Sequence, residues 1–179
     1  IEGILSQAAD QIRARATGQT GHITMSVVST SKYFAPSLVK TLSQSAVTIG
    51  ISLRVGNRES VMSDLDERRC DLAIMGRPPR EPMVNSIPLG PHPHGVILPP
   101  DHPFANADGF DPALLVQETF ISRELGSGTR ILMQRFFDRF EEGPVAHIVE
   151  MDSNESIKQA VRAGLGIALL SLHTVNEEL

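Results

Sequence analysis

From His22 onward, short apolar runs alternate with longer segments whose apolar residues recur every three or four positions. This change of period, repeated along the chain, constrains the fold more than any other feature. The runs predict strands at 22–28, 47–55, 71–75, 94–98, 118–122, 146–151 and 166–170, and the longer segments predict helices at 33–45, 58–69, 128–142 and 154–164. Strands interleaved with helices in this manner predict an α/β fold with mostly parallel sheets. One strand differs from the rest. In 47–55 the apolar Val47, Ile49, Ile51, Leu53 and Val55 alternate with Thr48, Gly50, Ser52 and Arg54. A strict period of two gives one polar face and predicts a sheet edge, which needs a cover or a partner.

Two further segments organise the chain. Residues 1–17 read as an amphipathic helix, with Ile1, Ile4, Leu5, Ala8, Ala9, Ile12 and Ala16 on one stripe and Gly18 in the position of a C-cap. A lone helix of that length is marginal in water, so its stripe packs either on its own domain or on a partner helix. Eight prolines fall between Pro78 and Pro100, so residues 76–103 run extended or turning and mark a crossing from one lobe to a second. With 179 residues the chain suffices for one substantial domain or two small lobes. Its 16 Lys+Arg against 21 Asp+Glu give a net charge of −5, which argues against a nucleic-acid platform in this chain. No apolar run approaches the roughly 18 to 20 residues of a membrane helix. Cys70 is the only cysteine, so there is neither a disulfide framework nor a thiolate zinc site. No signal-peptide pattern opens the chain. It begins at Ile1, and is expected to be part of something longer.

Candidate chemistry concentrates where strands hand over to helices. Ser29-Thr30-Ser31-Lys32 leaves a strand and enters a helix, and Ser127-Gly128-Thr129-Arg130 does the same for 128–142. Small hydroxyl residues there cap backbone N–H groups, and those N–H groups with the helix dipole also attract anions. Capping alone accounts for either segment; the pair, with a basic residue beside each, predicts an anion cleft. Ser153-Asn154-Glu155 opens a third helix in the same manner. Gly164-Leu165-Gly166 lacks the third glycine of a dinucleotide fingerprint and reads as a helix C-cap and turn. His92, His94 and His102 with Asp101 do not make a metal site, because the intervening prolines impose an extended path and no fourth ligand is evident. Cys70 reads as a packed small residue, and Ser127 lacks the GxSxG context of a hydrolase nucleophile. Neither a metal, a cofactor nor catalysis is expected.

The runs VSTSKYFAPSLV, LRVGNRESV, DLAIMGRPP, PHPHGVILPPDHP, FISRELGSGTR and SNESIKQAVRAGLGIALLS, in this order, resemble the effector-binding domain of LysR-type transcriptional regulators. YFAP, LRVGNRE and AIMGRPP are most similar to the CbbR branch, which regulates carbon-fixation genes. The resemblance covers the whole chain. It implies a type 2 periplasmic-binding-protein-like fold: a linker and dimerisation helix over 1–20, regulatory subdomain I over 21–91 and subdomain II over 92–179, with a cleft between the two. It further implies an effector site built from Ser29, Thr30, Ser31, Lys32, Arg77, Ser127, Gly128, Thr129, Arg130, Ser153, Asn154 and Glu155. The effector would be a small anionic metabolite, a phosphorylated Calvin-cycle intermediate or NADPH. A cytoplasmic homodimer or homotetramer is implied, its dimer contact formed by 47–55 with 33–45, reading promoter DNA through an N-terminal winged helix-turn-helix that these residues do not include. Members of the family return to the first lobe with a final strand and helix, and that return is expected to be missing after Leu179. The rival reading is a solute-binding protein for a small anion, which the linker-like helix over 1–17 disfavours.

Overall fold

The computed structural model describes residues 20–44, 48–140, 145 and 147–176. The predicted helix over 1–17, Gly18 and Val47 lie outside them. The chain divides into two compact units, Ile1–Asn85 and Ser86–Leu179.

In the first unit, β1 (Thr20–Val28) leads through a 3₁₀ turn (Ser29–Tyr33) into α1 (Ala35–Gln44), followed by β2 (Thr48–Gly56), α2 (Arg58–Asp66) and β3 (Leu72–Ile74). The sheet order is β2-β1-β3, and both pairings are parallel, with Ile23 beside Ile51 and Val27 beside Val55 and Ile74. The strand with the period of two is therefore an edge of this sheet. The central strand buries Met25 and Val27 from one face, and Ala35 at the start of α1 and Val61 of α2 are buried as well. On the other face Ser26 is buried and its hydroxyl donates to the Asp64 carboxylate at 2.7 Å. That bond, with Arg54 and Arg69 beside it, holds the Asp64 carboxyl below the usual carboxylate range against the opposing effect of burial. α2 thus carries a charge inward where the 58–69 pattern promised only an apolar face, and Asn57 caps it by accepting from the Ser60 N–H at 3.0 Å.

The second unit contains β4 (His94–Ile97), a 3₁₀ turn (Pro112–Gln117), β5 (Thr119–Arg123), α3 (Gly128–Phe137), β6 (His147–Met151), α4 (Asn154–Arg162), β7 (Ala168–Ser171) and a last 3₁₀ turn (Leu172–Thr174). β5 and β6 pair in parallel, whereas β4 and β7 pair antiparallel. A parallel bridge between Phe120 and Ile167 ties β5 to the residue just ahead of β7. Successive residues of these two strands point to opposite faces, and both faces are dry. Phe120, Ile167 and Leu169 pack with Leu115, Met133 and Phe137 on one side. Ile121, Ala168 and Leu170 pack with Ile157, Ala160 and Val161 of α4 on the other. Burial on two faces is why 166–170 reads as a continuous apolar run and not as an alternation.

Several boundaries differ from the expectation for local reasons. The helix expected at 33–45 starts at Ala35, because residues 29–33 tighten into 3₁₀ geometry. α3 ends at Phe137, five residues short of the expected end, with Asp138 as its cap. The turn Pro112–Gln117 was not predicted, although Asp111 accepting from the Ala113 N–H at 3.0 Å and Pro112 in the first turn are ordinary start signals. α4 ends in a Schellman motif: Leu165 N–H bonds Ala160 O at 3.0 Å, Gly164 N–H bonds Val161 O at 2.9 Å, and Gly164 takes φ +75°. Gly166 follows for a different reason. A Cβ there would lie 2.3 Å from the Thr119 carbonyl oxygen, which accepts the Ile167 N–H at 2.9 Å. Gly166→Ala is therefore expected to cost about 2–3 kcal/mol by forcing β5 and β7 apart. Gly164→Ala should cost only about 1–2 kcal/mol, the penalty of left-handed backbone. Urea unfolding of both variants checks the order; equal losses would contradict it.

Candidate functional site

Two parallel strands place two helix N-termini at one end of the second unit. β5 and β6 run side by side in register to Arg123 and Met151, then turn into α3 through Glu124–Ser127 and into α4 through Asp152 and Ser153. Gly126 at φ +82° supplies the left-handed step that the first turn requires. The two helix starts are not alike. Ser153 accepts from the Ser156 N–H at 3.4 Å and so caps α4. Ser127 is buried yet makes no side-chain cap on α3. The Ile131 N–H bonds Ser127 O at 3.3 Å, so the N–H groups of Gly128, Thr129 and Arg130 precede the helical ladder and face out of the helix end. These are the groups that bind anions at such a terminus.

Arg123, which was not anticipated as a site residue, organises this end. It is the last residue of β5 and only 3% exposed. Its Nε and Nη2 donate to the two Glu124 carboxylate oxygens at 2.7 and 3.0 Å, and its Nη1 donates to Asn154 Oδ1 at 2.5 Å. Its carbonyl accepts from Arg130 Nη1 at 3.0 Å, and the same guanidinium of Arg130 is paired with Glu150 on β6. Each arginine at this end therefore meets a carboxylate, and the electrostatic pull on an anion comes from helix N–H groups more than from unbalanced charge. Two buried donors adjoining Arg123 have no hydrogen-bond partner among the described residues: Arg130 Nε and Asn154 Nδ2. Buried donors are nearly always satisfied, so each of these two calls for an acceptor, a water or a ligand oxygen. The sequence signal for Arg123 is a charged residue that closes a strand directly after the apolar pair Phe120–Ile121 and Ser122.

Of the expected site residues in this unit, Arg130 and Asn154 bond to Arg123, and Ser127, Gly128 and Thr129 form the start of α3 just ahead of Arg130. Ser153 serves as the α4 cap, and Glu155 pairs with Lys158 at 3.9 Å. In the first unit, Ser29, Thr30, Ser31 and Lys32 form the 3₁₀ turn at the carboxyl end of β1, with Thr30 and Ser31 buried. Ser31 O accepts the Phe34 N–H at 3.1 Å, and Lys32 Nζ lies 5.2 Å from the centre of the Tyr33 ring. Arg77 is exposed beyond β3, and its carbonyl accepts from Arg58 Nη1 at 2.6 Å. Cys70 is half-buried, and burial with Asp64 and Asp71 nearby pushes its thiol up, away from a reactive thiolate. His102 faces Glu118 at 3.5 Å, apart from His92 and His94, which gather with His173.

The LysR substrate binding domain family matches residues 16–179. This chain belongs to that family. It is 55% identical over its whole length to the HTH-type transcriptional regulator CbbR of Cereibacter sphaeroides, of which it covers 58%. It is 46% identical over 89% of its length to the RuBisCO operon transcriptional regulator of Allochromatium vinosum, covering 52% of that protein. The chain thus spans little more than half the length of these relatives. Among solved structures, the Synechocystis PCC6803 CcmR regulatory domain in complex with 2-PG superposes with a TM-score of 0.81 at 38% identity. That match covers 87% of this chain and 74% of the other. The effector-binding domain of QuiR in complex with shikimate, 24% identical with a TM-score of 0.75, shares the fold. The type 2 periplasmic-binding-protein-like architecture is therefore that of LysR effector-binding domains, and the solute-binding alternative is not favoured by these regulator relatives.

Within this LysR substrate-binding domain, Arg123 joins the ends of both helices. Replacing Arg123 by Met removes the donors to Glu124 and to the buried Asn154 Oδ1, and the second unit is expected to lose about 3 kcal/mol. Urea unfolding checks this; a loss under 1 kcal/mol, the worth of an exposed ion pair, would contradict the structural role.

Proposed function

We propose that the chain is the effector-sensing part of a CbbR-type transcriptional regulator and takes a small anionic metabolite at the α3 N-terminus. The observation that carries this reading is the uncapped first turn Gly128–Arg130 beside two buried donors without acceptors, Arg130 Nε and Asn154 Nδ2. A phosphate or carboxylate offers the oxygens these groups lack. The CcmR regulatory domain's 2-PG, an effector of a relative at 38% identity, supports a phosphorylated ligand. Ser127, Thr129, Ser153 and Glu155 complete the proposed contacts in the second unit. Ser29, Thr30, Ser31, Lys32 and Arg77 are proposed as the effector-binding residues of the first unit. Binding acts as a switch only where the effector prefers one arrangement of the full regulator over another. The response would reach promoter DNA through a winged helix-turn-helix N-terminal to these residues, in a cytoplasmic homodimer or homotetramer. The proposal includes no catalytic step.

Thermal melting with 2-PG, ribulose bisphosphate, phosphoenolpyruvate, NADPH and inorganic phosphate tests the site. A ligand at about 100 times its Kd stabilises by roughly 2.7 kcal/mol, a rise of about 5–10 °C in Tm for a chain of this size. Gly128→Pro deletes one of the three N–H donors at the one helix position where proline is well tolerated. The expected result is a rise with one phosphorylated metabolite that Gly128→Pro and Arg130→Ala each reduce, with unliganded Tm nearly unchanged in Gly128→Pro. Equal rises with inorganic phosphate would reduce the site to a generic anion binder. No rise with any of them would overturn the reading.

A further inference from the structure

The second unit holds a group of three histidines that the effector site does not use. β4 and β7 pair from His94 with Ser171 to Ile97 with Ala168. Beyond the ladder the two segments stay joined by three bonds: Leu172 N–H to Pro93 O at 2.9 Å, His92 Nε2 with Ser171 Oγ at 3.0 Å, and His173 Nε2 to Pro91 O at 3.2 Å. Two of those three depend on an imidazole. The rings are packed together, with centroids 4.5 Å apart for His92 and His94 and 5.6 Å for His92 and His173. We infer that this His92–His94–His173 cluster is a proton-sensitive latch, closed while His92 and His94 are neutral and opened by their proton uptake where the chain enters the second unit.

The hydrogen bonds fix where a proton would go. A carbonyl only accepts, so His94 Nδ1, which bonds His92 O at 3.0 Å, carries its hydrogen, and so does His173 Nε2 on Pro91 O. His94 is left with Nε2 as its basic nitrogen, and that atom is buried without a partner among the described residues. A neutral His94 leaves an idle lone pair there. A protonated one creates a buried N–H⁺ with no acceptor, next to two more imidazoles. The surrounding elements do little to relieve it: β7 offers the neutral Ser171 hydroxyl, and the last 3₁₀ turn offers His173. α4 brings Lys158, a second cation, which donates to Thr174 O at 2.9 Å and pairs with Glu155. Burial first, then His94 and His173, push the His92 imidazole down to about 4. Burial and His173 likewise lower His94, outweighing its bond to His92 O.

The sign follows from linkage. Above about pH 6.5 closed and open forms are both neutral, and pH has no effect through these rings. As pH falls from there toward about 4, the open form takes up protons that the closed form refuses, so the latch loses stability across that window. The test is hydrogen exchange of the 179-residue chain at pH 7, 6 and 5, reading protection factors for the Leu172 amide, which bonds across the latch, and the Ile121 amide, which bonds Ile167 O. The Leu172 protection factor should fall by up to about 10-fold per pH unit for each titrating histidine, while Ile121 changes less. The double variant His92→Gln and His94→Asn keeps hydrogen-bonding groups near the same places without a titrating ring, and should flatten the Leu172 response. Imidazole resonances of the wild type give a check that needs no variant: His92 and His94 should titrate well below 6.5. Midpoints at or above 6.5, Leu172 protection that does not fall with pH, or the same slope in the double variant would each overturn the latch. Equal loss at Leu172 and Ile121 would overturn it too, since that is global acid unfolding.

Discussion

Two backbone hydrogen bonds set the frame of the second unit: Ile121 N–H to Ile167 O at 2.7 Å, and Ile167 N–H to Thr119 O at 2.9 Å. They weld β5 to the residue ahead of β7 and require Gly166 to have no side chain, because the Thr119 carbonyl occupies the space. With the strands held this close, Phe120 and Ile121 bury on opposite faces, and α3 and α4 cover one face each. Both helices then start at the carboxyl end of the parallel pair β5–β6. That end is where α/β proteins bind ligands, for the reason that helix N-termini and strand ends converge there. The position of the candidate site is a consequence of core packing, not of any residue that touches a ligand.

The charges at that end are arranged for recognition with little net attraction. Arg123 is held by Glu124 and Asn154, and Arg130 by Glu150 and the Arg123 carbonyl. A buried arginine held at several donors cannot swing out to meet a ligand, and its worth is geometric: it fixes Asn154 at the start of α4. What remains for a ligand are N–H groups of the α3 first turn and the two idle donors. Such a site discriminates by placement of oxygen atoms and has a smaller long-range pull than a cluster of unpaired lysines.

Much of this was legible in the sequence because the signals are local. The alternation of short apolar runs with segments of three-to-four-residue period located seven strands to within about two residues, and the Gly164-Leu165-Gly166 turn was read from its glycines. The hydroxyl-rich segments were legible as helix starts, with Ser127 and Ser153 standing just ahead of α3 and α4. The polar partners were not legible. Nothing in FISREL shows that Arg123 closes on Asn154, which lies 31 positions later, or that Glu150 meets Arg130. Those contacts depend on which strands become neighbours, a tertiary outcome. The antiparallel pairing of β4 with β7 was missed for the same cause, and with it the meeting of His173 with His92 and His94. Ser26 and Asp64 make the same point in the first unit, where a helix that read as apolar on one side turned a carboxylate inward.

The central claim, that the uncapped N-terminus of α3 is where an anionic effector is held, is tested most directly by amide chemical shifts. A 2-PG titration of the uniformly ¹⁵N-labelled chain should move the backbone resonances of Ser127, Gly128, Thr129 and Arg130 most within the second unit. The Asn154 side-chain amide and the Arg130 Nε resonance should move with them, all following one saturation curve. Saturable shifts that leave these groups unmoved, or no saturable shift at millimolar ligand, would contradict the account.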